Sequence, residues 1–208
     1  MAETAKKKGH IVMIPFMAHG HLIPFLALAR KIQETTTSFT ITIATTPFNI
    51  QHLKSAISTT ISSINLAELS FNHSQHGLPP NIENTEKLPL TDVIKLFHAS
   101  TSLEAPLSSL ISKIAEQEGQ PPVCIISDVF LGWVTNVAKS LGFPINYKFH
   151  KSQMHKYLRE ADGTDSWSKF FPTQITLSMK SDGWICNTVE EIETFGLQLL
   201  RNYLRLPV

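Results

Sequence analysis

The sequence predicts an α/β fold with a doubly wound parallel sheet, and three observations carry that expectation. Short apolar or β-branched runs recur: His10-Ile-Val-Met-Ile-Pro-Phe16, Phe39-Thr-Ile-Thr-Ile-Ala44 and Pro122-Val-Cys-Ile-Ile-Ser-Asp128. The first and third are nearly continuous in apolar residues, as strands covered on both faces require. Segments with helical spacing stand between the runs, and strands that alternate with helices imply parallel βαβ units.

Each element has its own justification. After the turn Met17-Ala-His-Gly20, the segment His21 to Glu34 places Leu22, Phe25, Leu26, Ala29 and Ile32 on one helical face. Phe39 to Ala44 is β-branched at its four central positions and reads as the second strand. Thr46-Pro47 opens a helix with proline near its first position, running through Leu53 toward Ile57. Ile64 to Phe71 alternates well enough for a third strand, a loop follows over His76 to Asn84, and a long helical stretch runs from Leu90 to Ala115. Pro122 to Asp128 is a buried strand that should neighbour the first. A helix from Trp133 to Leu141 is stopped by Gly142 and Pro144. Trp184 to Asn187 reads as a short strand and Val189 to Leu204 as a helix.

One stretch breaks the rhythm. After Leu141-Gly142 a doubly wound sheet should receive another apolar strand, but Phe143-Pro-Ile-Asn-Tyr-Lys-Phe-His150 is polar at alternate positions. It runs directly into the helical Ser152 to Arg159. The expectation is an internal deletion near 143–148 that has removed a central strand.

Composition bounds the function. The chain has 208 residues, 42% apolar and 17% charged, which suits one globular domain over 10–208 behind a flexible tail at 1–9. The net charge of +1 gives no field to recruit nucleic acid or an anionic membrane. The Lys6-Lys7-Lys8 run reads as solvated tail. The start has no apolar signal region, and no apolar stretch approaches the roughly 20 residues that span a bilayer. Cys124 and Cys186 sit in apolar runs and read as reduced core residues. The expected location is the cytoplasm.

Ligands of open parallel sheets bind beyond the carboxyl ends of the strands, near the point where strand order reverses. His21, just past the first strand, and Asp128, closing the fourth, hold such positions. The positive end of a helix disfavours an imidazolium and keeps a neutral base available. A carboxylate on the other ring nitrogen would fix the tautomer and stabilise the charged form as it develops. That pair suits deprotonation of a hydroxyl nucleophile, although a surface ion pair or helix cap uses the same residue types. His19 and His21 lack a third ligand at metal-binding spacing, and His150 and His155 do not share a helix face. A dinucleotide fingerprint needs three glycines where Met17 to Pro24 has only Gly20, and no Gly-Lys-Ser/Thr phosphate loop occurs. Trp167, Phe170 and Phe171 read as a helix-packing stripe, with the wall of a ligand pocket as the other reading.

The opening His10-Ile-Val-Met-Ile-Pro-Phe-Met-Ala-His-Gly-His-Leu-Ile-Pro24 resembles the first strand, turn and helix of plant family 1 UDP-dependent glycosyltransferases. Gly77-Leu-Pro79 with Glu83-Asn84, Ile126-Ser-Asp-Val-Phe130, Trp133 to Ala138 and Trp184-Ile-Cys-Asn-Thr-Val-Glu-Glu-Ile-Glu193 extend that resemblance over nearly the whole chain. It implies the Rossmann-like N-terminal, acceptor-binding lobe of a two-lobed enzyme that transfers sugar from UDP to a small hydroxylated acceptor with inversion. His21 then matches the general base and Asp128 its carboxylate partner. Gly20 stands next to the donor sugar, and His19 and Phe130 line the acceptor pocket. No metal or cofactor is implied, the UDP-sugar being a co-substrate. Nothing here matches that family's donor-binding lobe, so the expectation is a half that is inactive alone. The alternative is a non-catalytic module that binds small molecules or a related subunit.

Overall fold

The computed structural model describes residues 8–56, 64–141, 163–186, 188, 190–204 and 208. They fall into two units, Met1–Asp128 and Val129–Val208. The irregular stretch 143–150, with the deletion expected there, His150, His155, and the helix expected from Ser152 all lie outside the described residues.

In the first unit β1 (Gly9–Ile14), β2 (Phe39–Thr45), β3 (Ile64–Glu68) and β4 (Cys124–Ser127) form a parallel sheet in the order β3-β2-β1-β4. The expected pairing of β1 with β4 is present: Ile11 stands opposite both Ile41 of β2 and Cys124 of β4. Strand order therefore reverses at β1, which puts the switch point between β1 and β4.

The period of two along each strand explains how both faces are covered. Ile11, Met13, Ile41 and Ile43 project to one face and pack with Leu22, Leu26 and Ala29 of α1 (His19–Thr35) and Leu53 of α2 (Pro47–Ala56). Val12 and Ile14 project to the other and are fully buried. His10 and Thr42 share that second face. The hydrogen bonds of the His10 ring to Glu118 (2.6 Å) and Thr42 (2.8 Å) show which helix covers it, α4 (Glu104–Glu118). At about 25 cal/mol per Å2 of apolar area removed from water, these two layers supply most of the unit's stability.

Several expectations need correction. The stretch Leu90 to Ala115 is not one helix but α3 (Val93–Ser100), a 3-10 turn (Thr101–Leu103) and α4. The hydroxyls of Ser100, Thr101 and Ser102 donate to the carbonyls of Phe97, His98 and Ala99, competing with the helical ladder. Pro106 has no N–H for the Ser102 carbonyl and is tolerated because it lies in the first turn of a new helix.

The fourth strand is shorter than Pro122 to Asp128 and is not buried on both faces. Among the described residues it ladders only with β1, and an end strand covers less of its side chains. Val123 is 55% exposed, and Cys124, read as a core thiol, is exposed too, while Cys186 is half-buried. β3 likewise ends at Glu68 rather than Phe71.

The second unit contains α5 (Val134–Ser140), α6 (Ser166–Ser178) and α7 (Glu190–Leu204). Asp165 caps α6 by accepting from the Trp167 and Ser168 amides. Its first turn carries Trp167, which stacks on Phe171 (5.5 Å, 1°), and the Phe130 ring meets Phe171 edge-on at 5.2 Å. Of the expected packing stripe only Phe170 is buried; Phe171 is half-buried and Trp167 is exposed. The strand expected at Trp184 to Asn187 does not form over Trp184–Cys186, and Asn187 lies outside the described residues. A strand exists only by pairing, and exposed Ile185 shows that this segment gains no such burial. Among the described residues no helix is long and apolar enough to cross a membrane.

Candidate active site

The carboxyl ends of β1 and β4 frame the site. β1 leads through Pro15 and the buried Phe16 and Met17 into α1, whose cap residue Ala18 offers no side-chain cap. His19, Gly20 and His21 thus form the first turn of a helix whose leading amides face outward with their positive dipole end. The Asp128 amide donates to the Ile14 carbonyl at 3.0 Å, extending the β1–β4 ladder by one step and placing Asp128 beside that turn.

His21 and Asp128, expected as a pair, are brought together. His21 Nδ1 donates to Asp128 Oδ2 at 2.5 Å across 107 residues of sequence. The carboxylate is 6% exposed and the imidazole 33% exposed, so one partner is anchored and the other reaches solvent. A carboxylate on Nδ1 requires the proton there, which makes Nε2 the basic nitrogen of the ring. Phe16 backs the imidazole edge-on at 5.6 Å and itself stacks on Phe97 of α3 at 4.1 Å, so apolar packing holds the ring plane.

Gly20 is exposed, and a Cβ on it would meet nothing within 4 Å among the described residues. His19 is held by residues for which the sequence offered no role. Its ring stacks on His52 of α2 at 3.8 Å, and its Nε2 lies 3.4 Å from Asn84 Nδ2 and 4.0 Å from Glu86 Oε2. The adjacent Glu83 carboxylate accepts from the Phe48 amide in the first turn of α2, pinning this loop to the site. The only signal was that Glu83-Asn84 stood among the segments of the resemblance. Phe130 belongs to the second unit, where it packs against Phe171. Among the described residues no group of three metal-capable side chains comes together.

Comparison with known proteins agrees with this architecture. The family described as "Glycosyltransferase, N-terminal domain" matches residues 8–176. The chain is 39% identical to crocetin glucosyltransferase 3 of Crocus sativus over 239 residues, covering 97% of this chain and 50% of that protein. It is 36% identical to UDP-glycosyltransferase 92A1 of Arabidopsis thaliana over 251 residues, covering 100% of this chain and 51% of that protein. Among solved structures, Arabidopsis thaliana UGT89C1 complexed with UDP-L-rhamnose superposes with a TM-score of 0.69 at 25% identity, over 96% of this chain and 47% of the other. The chain spans about half the length of the curated relatives it matches. It belongs to the N-terminal domain family of the plant UDP-dependent glycosyltransferases.

Proposed function

We propose that this chain is the acceptor-binding half of an inverting UDP-sugar-dependent O-glycosyltransferase acting on a small hydroxylated metabolite. The observation that carries the reading is the 2.5 Å hydrogen bond from His21 Nδ1 to buried Asp128 at the switch point of the sheet. In this mechanism His21 Nε2 takes the proton of the acceptor hydroxyl as its oxygen forms a bond to the sugar's anomeric carbon. The bond from that carbon to the UDP oxygen breaks, and UDP leaves with the electron pair. Attack opposite the leaving group inverts the centre. Asp128 stabilises the imidazolium as it forms, without itself taking the proton.

Gly20 supports the donor side of this reading. Among the described residues nothing lies within 4 Å of a Cβ at Gly20, which leaves room for a ligand to approach the backbone there. His19 supplies a polar group on the acceptor side of this reading. UGT89C1, also solved with quercetin at 27% identity and a TM-score of 0.65, points to flat phenols as first probes. An exposed cysteine suits a reducing compartment, and a cytoplasmic enzyme half is part of the same reading. The internal shortening near 143–148 also stands as a proposal. It is supported by the match to UDP-glycosyltransferase 92A1, which runs over 251 residues where the chain has 208.

Transfer needs a donor-binding half alongside these residues. The test joins the chain to the donor half of UDP-glycosyltransferase 92A1 and measures quercetin glucosylation from UDP-glucose. His21→Ala should lower the rate by roughly 100- to 10,000-fold, the range for a lost general base. Equal rates in both proteins would remove His21 from the mechanism. Quercetin binding by the chain with no His21-dependent transfer would favour the non-catalytic binding module.

A further inference from the structure

Beside the His21–Asp128 pair lies a second polar network whose hydrogen-bond directions are fixed by the backbone. The Glu86 amide donates to Asn84 Oδ1 at 3.0 Å, so that atom is the oxygen and the other end of the Asn84 amide is a donor. On α2, the Asn49 amide nitrogen donates to the Glu83 carbonyl and to Thr46 Oγ1, both at 2.8 Å, which fixes Asn49 Oδ1 as an acceptor. Asn84 Nδ2 therefore donates to Asn49 Oδ1 at 3.3 Å, and its second hydrogen faces His19 Nε2 at 3.4 Å. Asn49 and Asn84 are both buried, so neither amide can turn without stranding a polar group away from water.

A donor facing Nε2 requires a lone pair there, and the His19 proton must then sit on Nδ1. We propose that Asn84 is a positioning residue that sets the tautomer and ring plane of His19, holding its proton on Nδ1. The competing influence is Glu86, whose carboxylate would draw the proton to Nε2. At 4.0 Å it is beyond hydrogen-bond distance, and at 52% exposure it is screened by water. The stacked His52 ring, within 12° of parallel, clamps the plane from α2. The assignment stands on this geometry alone. Its consequence, that His19 meets an acceptor molecule as a hydrogen-bond donor, rests on the proposed function.

Long-range 1H–15N correlation spectra of the 15N-labelled 208-residue chain read the tautomer directly, without acceptor or activity. At about pH 8 ordinary imidazoles, with a pKa near 6.5, are neutral. The His19 signals are those lost in His19→Gln. The expected result is Nδ1–H in the wild type and a change to Nε2–H in Asn84→Asp, whose carboxylate accepts rather than donates. His10, bonded through both ring nitrogens elsewhere, should be unchanged and reports the fold. Nε2–H in the wild type, or Nδ1–H retained in a folded Asn84→Asp, would overturn the assignment. Should the His10 signals show that Asn84→Asp does not fold, wild type and Glu86→Gln decide: Nδ1–H in both upholds it and Nε2–H in either sinks it. Failure of the proposed function would leave these spectra untouched, because they contain no substrate.

Discussion

Gly132 lies so close to Gln174 that a Cβ on it would stand 2.0 Å from the Gln174 carbonyl oxygen. The buried Gln174 side chain completes the contact, its Oε1 accepting from the Trp133 amide at 3.0 Å. The turn before α5 is thereby locked onto α6, and it is the turn that carries Phe130. Gly132→Ala has no room to relax against backbone and should cost about 1–3 kcal/mol, the range for overpacking. A lower urea midpoint with an unchanged denaturant slope would show it; an unchanged midpoint would mean the turn and α6 are not packed this way.

His10 sits at the opposite end of β1 from the candidate site, buried, with both ring nitrogens engaged. His10→Leu strands the Thr42 hydroxyl and removes one partner of Glu118, so it should destabilise by about 1–3 kcal/mol. Quercetin affinity of the folded fraction should be unchanged. A stability loss without an affinity loss, read from urea titration and fluorescence quenching, separates the structural histidine from His21.

Much of the first unit could be read from the sequence because local pattern and tertiary role agree there. Apolar β1 and β-branched β2 are strands by composition and by burial alike. Reading failed where partners decide. Trp184 to Cys186 has strand composition but no ladder to join among the described residues, and three hydroxyls with Pro106 broke a stretch whose apolar spacing looked continuous. The site divided the same way. His21 and Asp128 stood at strand ends, where the fold class itself directs attention. His52 and Asn84 matter through contacts with His19 across 33 and 65 residues, and Asn49 through its bond with Asn84 across 35, and no short-range pattern encodes those.

Asp165 gives a pH prediction. The Ser168 hydroxyl, followed by the Ser168 and Trp167 amides, holds its carboxyl below the ordinary carboxylate range. A depressed native value contributes stability that is present above the unfolded value, about 3.9, and is lost as pH falls through the native one. The start of α6 should therefore loosen in acid, seen as a change in Trp167 fluorescence below about pH 4. In Asp165→Ala that acid-dependent step should be missing. An identical acid profile in both proteins would mean the cap does not govern this turn.

Gly20→Ala separates folding from donor approach. Because the new methyl meets nothing, stability should hold or rise by up to about 1 kcal/mol, the helix preference of alanine over glycine. In the enzyme joined to a donor half, KM for UDP-glucose should rise or kcat fall by at least about tenfold, a loss of about 1.4 kcal/mol. Unchanged kinetics would take Gly20 out of the donor site.

The most direct test of the central claim is a double-mutant cycle on His21 and Asp128 in that joined enzyme, with quercetin glucosylation as the readout. If the two residues form one proton-accepting unit, His21→Ala with Asp128→Asn should be no slower than His21→Ala alone, since groups that act together are strongly non-additive. Independent losses that multiply in the double variant would contradict the account and leave the 2.5 Å contact as structure only.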